Sequence, residues 1–165
     1  MDATLAAYIA GFLDGDGSIH LQIIKQREYR YGFYVRVSVS FHQHTSGRAG
    51  LEWLHGQLKV GYLRNRAGQM SDYIITPRIA IRKLLVAIAP YVIFKRKQVK
   101  YALEIMDEIE KTNSSESFLA VTKKVDAFSS LNRSKRRKNT MTTVVNAWKE
   151  MGRHTPVTTD PARVR

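Results

Sequence analysis

Three features of the 165-residue sequence predict an α+β fold in the order helix, hairpin, helix, hairpin, helices. Apolar residues switch from helical spacing to strict alternation and back again, twice in succession. The alternating runs come in pairs joined by short polar turns, which builds antiparallel hairpins rather than parallel crossovers. With 44% hydrophobic and 10% aromatic residues the chain fills one core, so residues 1–151 are expected to form a single domain. The remainder, 152–165, carries Pro156 and Pro161 among Thr, Asp and Arg and reads as a flexible tail.

The first helix runs from Thr4 to Asp14. Asp14-Gly15-Asp16-Gly17 closes it and offers glycine where a left-handed C-cap is favoured. It is apolar on nearly every side, so more than one surface must cover it. Ile19, Leu21 and Ile23, then Val35, Val37, Val39 and Phe41, alternate with polar residues and predict two strands around the basic turn Lys25 to Gly32. Leu51, Leu54 and Leu58 give a helix from Gly50 to Leu58. Val60 to Arg66 and Met70 to Thr76 pair across Ala67-Gly68-Gln69, and Pro77 opens a helix that ends at Ile88. Further helices are expected at about Lys95 to Glu110, Ser115 to Leu131 and Thr142 to Met151.

The 27 Lys and Arg residues against 14 Asp and Glu give a net charge of +13. An excess of this size on a folded domain implies a polyanionic partner, nucleic acid before anionic membrane. The absence of cysteine excludes disulfides, thiolate metal sites and a thiol nucleophile, and fits a reducing compartment. The longest apolar run, Leu84 to Phe94, is broken by Pro90 and too short to span a bilayer, so a soluble, intracellular protein is expected.

A sheet with helices on one side leaves its other face free. On that face the alternation places Gln22, Gln26, Arg36, Ser38, Ser40, His42, Arg64 and Arg66, with Tyr29 in the turn between the first two strands. Such residues suit double-stranded DNA: Arg pairs with guanine, Gln with adenine, and Ser with either. Arg133, Lys135, Arg136, Arg137 and Lys138, between two helices, read as a phosphate clamp to which Asn132, Ser134 and Thr140 add donors. His42 and His44 share a strand face, but no further ligand stands at metal-binding spacing.

On the first helix, Ala3, Ala7, Gly11 and Gly15 lie four apart, a stripe that lets another helix approach closely. Its C-terminal end carries unpaired carbonyls and partial negative charge, to which Asp16 adds a carboxylate. The Gly15 carbonyl with the Asp16 carboxylate makes a hard-cation site suited to Mg²⁺, which needs only one or two protein carboxylates. Mn²⁺ or Ca²⁺ would fit the same oxygens. An EF-hand is excluded, because Ile19 stands where its glycine belongs and Lys25 where its closing glutamate belongs.

The segment Tyr8 to Gly17, reading YIAGFLDGDG, resembles the signature helix of the LAGLIDADG homing endonucleases. The similarity continues through Val60 to Arg66, Ser71-Asp72-Tyr73-Ile74, Pro90 to Gln98 and Leu131 to Lys138, and is to the single-motif, organellar, intron-encoded branch. It implies an αββαββα core with a saddle-shaped antiparallel sheet. It also implies Mg²⁺-dependent cleavage of both strands of a long DNA site with short 3′ overhangs, in the service of intron mobility in a chloroplast or mitochondrion. By that resemblance Asp16 matches the essential metal-binding acid and Gly15 the residue whose carbonyl joins it. Lys95 matches the basic residue beside the active-site water, and Gln43 the polar residue that orients water. A second basic residue follows the glutamine by four in the family. Here Gly47 holds that place and Arg48 comes one later, leaving His44, Gly47 and Arg48 as candidates. Arg48 is preferred because phosphate needs a permanently charged partner. Asp72, within the matched Ser71 to Ile74, joins the DNA-facing set.

One signature helix supplies one carboxylate, whereas cutting two strands requires two. A homodimer packed through Ala7 and Gly11 about a two-fold axis, reading a pseudo-palindrome, therefore follows. A strand of ~9 residues covers about 30 Å, or ~9 base pairs, so two halves read roughly 18–22 base pairs. The resemblance also admits an alternative, a cleavage-inactive splicing cofactor for intron RNA with the same fold. No small-molecule cofactor and no membrane enter either reading.

Overall fold

The computed structural model describes residues 1–132 and 137–150. Helix α1 (Ala3–Asp16) leads into strands β1 (Gly17–Lys25) and β2 (Phe33–His44), followed by α2 (Arg48–Leu58). Strands β3 (Tyr62–Arg66) and β4 (Met70–Ile75) come next, then helices α3 (Arg78–Ile88), α4 (Arg96–Lys111), α5 (Ser115–Ala127) and α6 (Met141–Glu150). The four strands form one sheet in the order β1-β2-β4-β3, with β2 and β3 each antiparallel to β4. The fold is the expected α+β arrangement. The proposed tail and residues 133–136 lie outside the described residues.

The chain divides into two compact units, the first formed by Met1–His20 with Val37–Leu103. In it the odd-numbered residues of β2 and β4 face the helices. Val39 sits opposite Ile75 and Phe41 opposite Tyr73, all four fully buried. Ile9, Ala10 and Leu13 of α1, Leu51 and Leu54 of α2, and Ile81, Leu85 and Ile88 of α3 complete that core, at the spacing that puts each set on one helix face. The Phe12 and Phe41 rings lie 5.2 Å apart. Tyr73 donates its hydroxyl to the Val60 carbonyl, and burial pushes its pKa up to about 12.

The second unit is formed by Leu21–Arg36 with the chain from Glu104 onward. Its core contains Leu21, Ile23, Phe33 and Val35 from the strands and Phe118, Val121, Phe128, Val144 and Trp148 from the helices. Tyr31 stacks on Phe118 at 4.7 Å, and its carbonyl accepts the Trp148 indole N–H at 2.9 Å. Asn139 Nδ2 donates to the Ile23 carbonyl at 2.9 Å. These bonds join residues more than a hundred positions apart in sequence.

Two expectations about helix ends are corrected. Helix α1 does not stop at Asp14 with a left-handed glycine; it continues through Asp16 and is capped by Gly17 in extended conformation, φ −103° and ψ 165°, whose N–H returns to the Leu13 carbonyl. Glycine is needed there for space. A Cβ on Gly17 would lie 2.6 Å from Leu13 Cα and 2.9 Å from its carbonyl oxygen. Gly17→Ala is therefore expected to cost about 1–3 kcal/mol of stability, measurable by urea unfolding, and an unchanged midpoint would refute the close approach. Helix α5 ends at Ala127 and tightens to a 3-10 turn over Phe128–Leu131. Ser129 and Ser130 cause this locally by donating their hydroxyls to the carbonyls of Asp126 and Ala127.

Candidate functional site

Helix α1 places Asp16 at its last turn, and odd parity carries Gln43, the last helix-facing side chain of β2, to the same place. Gln43 Nε2 donates to Asp16 Oδ2 at 2.8 Å, which fixes the carboxylate and leaves Oδ1 for a ligand. Lys95 arrives from the segment before α4, its Nζ donating to the Asp14 carbonyl at 2.6 Å. Asp16, Gln43 and Lys95 thus converge on the C-terminal end of α1.

Asp14 makes this convergence possible, and the sequence did not disclose it. Its carboxylate accepts the backbone N–H groups of Ile93, Phe94 and Lys95 at 2.6, 3.1 and 2.8 Å. These amides precede α4, where an acceptor is favoured by the unpaired donors and the dipole of a helix start. The aspartate thereby ties the end of one helix to the beginning of another some eighty positions on. Asp14→Ala is expected to cost about 2–3 kcal/mol and to free the start of α4 from the end of α1. Asp14→Asn, which keeps part of the acceptor capacity, should lose less stability in thermal unfolding.

Arg48 is the first residue of α2 and binds Glu52 Oε1 through Nε at 2.8 Å and Asn65 Oδ1 through Nη1 at 2.5 Å. The position beside Gln43 is Gly47, where an added Cβ would lie 3.3 Å from Gln43 Oε1. His44 turns to Ser46 and Gln69. In this structure the helix-end cluster draws its cation from Lys95, and the place four residues after Gln43 is filled by glycine.

The donor set fits a hard cation that retains water. Gly15 and Asp16 are exposed, and Asp14 is committed to backbone amides. Among the described residues no group of three or more His, Cys, Asp or Glu side chains is placed to hold a metal. One carboxylate and helix-end carbonyls per chain suit Mg²⁺, with solvent and phosphate completing its shell.

At even-numbered strand positions the exposed side chains include Gln22 and Arg36 in the second unit and His44, Tyr62, Arg64 and Arg66 in the first, where His42 is partly covered. Gln22 Oε1 accepts from Arg36 at 2.7 Å within the second unit, leaving the amide N–H₂ and the remaining guanidinium donors for a ligand. Tyr29, exposed, stacks on Tyr34 at 4.5 Å, and Gln26 falls just beyond β1 in the turn. The expectation of a freely open face is corrected at Ser38 and Ser40, which are only 7% and 3% exposed. Their short side chains lie below their neighbours' tips, and Ser40 is held between two histidines. Asp72, also expected to face DNA, is fully buried, bound by His42 at 2.7 Å and by Arg64 at 2.9 Å. Burial raises its pKa, but the hydrogen bonds of His42 and Arg64 and the charges of His42 and Arg66 outweigh this and hold it below the usual carboxylate value.

The clamp assignment divides. Ser134 and Lys135 lie outside the described residues, as do Arg133 and Arg136. Lys138 is exposed, whereas Arg137 is largely covered and paired with Asp126 at 3.7 Å. Thr140 caps α6 by exchanging hydrogen bonds with Thr143, and Asn132 ends the 3-10 turn. On α1, Ala3, Ala7 and Gly11 are exposed while Ala6, Ile9, Ala10 and Leu13 are buried, so a single chain covers only one side of the helix.

Comparison with known proteins agrees with this geometry. The LAGLIDADG endonuclease family model matches residues 9–106. The chain is 36% identical over 138 residues to the DNA endonuclease I-CreI of Chlamydomonas reinhardtii, covering 83% of this chain and 84% of that protein. It is 28% identical over 146 residues to the DNA endonuclease I-CvuI of Chlorella vulgaris, covering 88% and 91%. The crystal structure of I-CvuI with its target in the presence of Ca superposes with a TM-score of 0.83 at 27% identity, over 92% of this chain and 96% of that one. The archaeal intron-encoded I-Vdi141I, complexed with DNA, shares the fold at a TM-score of 0.74 and 20% identity, over 89% and 96%. On the match to the family model and the I-CreI identity, this chain belongs to the LAGLIDADG endonuclease family.

Proposed function

We propose that the protein is a site-specific homing endonuclease that cuts both strands of a long double-stranded DNA site as a homodimer, with Mg²⁺ as its metal. One observation carries this reading: Asp16, bound by Gln43 and flanked by Lys95, stands at the end of a helix whose small-residue stripe is exposed. Burying that stripe against its copy brings two helix ends, and two Asp16 carboxylates, together about one axis. The I-CvuI structures with DNA, one in the presence of Ca and one of Mg, support DNA as the partner and a divalent ion as the cofactor.

When bound, Mg²⁺ supplies Lewis-acid charge to the phosphate and lowers the pKa of its water. The chain's own contributions follow from the contacts. Gln43 orients the Asp16 carboxylate through Nε2 and keeps its Oε1 for a water hydrogen bond. Lys95, held at the Asp14 carbonyl, keeps a positive charge beside the helix end where phosphate negative charge must be accommodated. Arg48 is assigned to the flank of the site through Asn65 rather than to its centre. Arg36, Arg64, Arg66 and Gln22 read base edges, and Lys138 contacts backbone phosphate. An organelle is the proposed location, on the resemblance to intron-encoded members. No helix among the described residues is long and apolar enough to cross a membrane.

Digestion of a library of long random duplexes, with and without Mg²⁺, tests the reading. Recovery of one pseudo-palindromic site cut on both strands only with a divalent ion is the expected result. Sequence-specific binding without cleavage under any divalent ion would overturn it.

A further inference from the structure

One row of the sheet is wired in a way that strand cleavage does not use. Within the first unit, His20 Nε2 lies 3.1 Å from Ser40 Oγ, Ser40 Oγ lies 3.0 Å from His42 Nε2, and His42 Nδ1 lies 2.7 Å from Asp72 Oδ1. Asp72 also accepts Arg64 Nε at 3.0 Å and, weakly, Arg66 Nη1 at 3.4 Å. Its side chain is 0% exposed, whereas those of Arg64 and Arg66 are 53% and 50% exposed, so a ligand above the row meets the cations and not the acid.

The hydrogens along this chain can be assigned. An ionised carboxylate only accepts, so His42 Nδ1 carries a hydrogen at any pH at which Asp72 is charged. Ser40 has one hydroxyl hydrogen and faces two imidazole nitrogens. When His42 is neutral, its Nε2 accepts from Ser40 and His20 Nε2 must donate to Ser40. When His42 takes up a proton, its Nε2–H donates to Ser40, whose oxygen then accepts from both imidazoles. Both N–H groups of the imidazolium are then satisfied, one by Asp72 and one by Ser40. The titratable and charged groups of this row are His20 on β1, Arg64 and Arg66 on β3 and Asp72 on β4, with His44 two residues along β2.

The two states differ in how firmly Asp72 holds the arginines. With neutral His42, the single buried negative charge is balanced by Arg64 and Arg66 alone, which binds them down into the sheet. With charged His42, Asp72 has an ion-pair partner inside the row, and the guanidinium donors are released for guanine N7 and O6 or for phosphate.

We propose that His42 is a specificity-determining, positioning residue of the DNA-reading face: its proton, accommodated by Ser40 and His20, loosens Asp72 from Arg64 and Arg66 and so strengthens their reading of guanine. The inference rests on the DNA-binding assignment of this face and adds to it a proton-linked selectivity. Because DNA favours the charged state, binding takes up a proton, and by linkage guanine selectivity falls as pH rises. One proton limits the effect to tenfold per pH unit.

The test compares binding of duplexes carrying guanine or adenine at the base pairs above the row, by fluorescence anisotropy at pH 6 and pH 8. Wild type should favour guanine roughly fivefold to tenfold more at pH 6 than at pH 8. His42→Asn, which keeps a donor toward Asp72 but does not titrate in this range, should show no such change. Ser40→Ala removes the acceptor for Nε2–H and should move the transition to lower pH. In the free protein, the Arg64 Nε–H resonance should shift along the titration curve of the His42 ring, an NMR readout that needs no DNA. A pH-independent preference in wild type, the same pH change in His42→Asn, or an Arg64 signal indifferent to His42 would overturn the proposal. Loss of cleavage with pH-dependent selectivity intact would instead count against the nuclease reading alone.

Discussion

Asp16→Asn is expected to leave sequence-specific DNA binding intact while reducing cleavage by about a thousandfold or more, the loss that follows from removing a metal-holding carboxylate. The substitution is nearly isosteric. Its amide oxygen can still accept from Gln43 Nε2, which lies 2.8 Å from Asp16 Oδ2 in the native protein, so the helix end keeps its shape. What disappears is the negative charge that balances a divalent ion. In a homodimer both sites fail together, so neither nicked nor linear product should accumulate in a supercoiled-plasmid assay. A mixed dimer of one native and one substituted chain should nick a single strand, since each chain supplies one carboxylate. Wild-type rates in the homodimeric variant would sink the assignment of Asp16.

The second large effect is on affinity. A chain of net charge +13 that places Arg36, Arg64, Arg66 and Lys138 at its surface neutralises phosphate and releases counterions on binding. If a dimer covers ~10 phosphates, the slope of log K against log salt is about −9, a loss on the order of 10⁵-fold between 50 and 200 mM. Arg64→Gln should reduce the affinity most for sites with guanine above the row. Lys138→Gln, present twice in the dimer, should weaken all sites alike and flatten the slope by about two units. A slope near zero would contradict phosphate binding by this face.

Much of this was legible in the sequence because it depends on local periodicity. The alternation through Val35, Val37, Val39 and Phe41 showed which side of β2 meets the helices, and all four are buried, although Ser38 and Ser40 on the other side are buried too. The even positions also put His42 on the opposite face, whereas Gln43 was singled out only by its match to the family pattern. The small-residue spacing on α1 marked the side that remains exposed. The role of Asp14 was not legible, because its three partners lie some eighty residues away and are backbone amides that carry no sequence signature. Gly17 was recognised as special, but for conformation rather than for its approach to Leu13. Arg48 was preferred for its permanent charge; that α2 begins at this residue and pairs it with Glu52 and Asn65 only the structure shows.

The sequence by itself determined the class of fold, the charge that calls for a polyanion, the face each strand presents and the carboxylate at the end of the first helix. These are properties of spacing and composition, and nearest neighbours in the chain set them. Only the tertiary structure decided which polar groups meet: Gln43 with Asp16, Asp14 with the start of α4, and His20, Ser40 and His42 with the buried Asp72. Hydrogen bonds of about 3 Å require positions accurate to a few tenths of an ångström. Strand register and helix packing supply that accuracy, so the chemistry of the site emerges only when distant segments are held together.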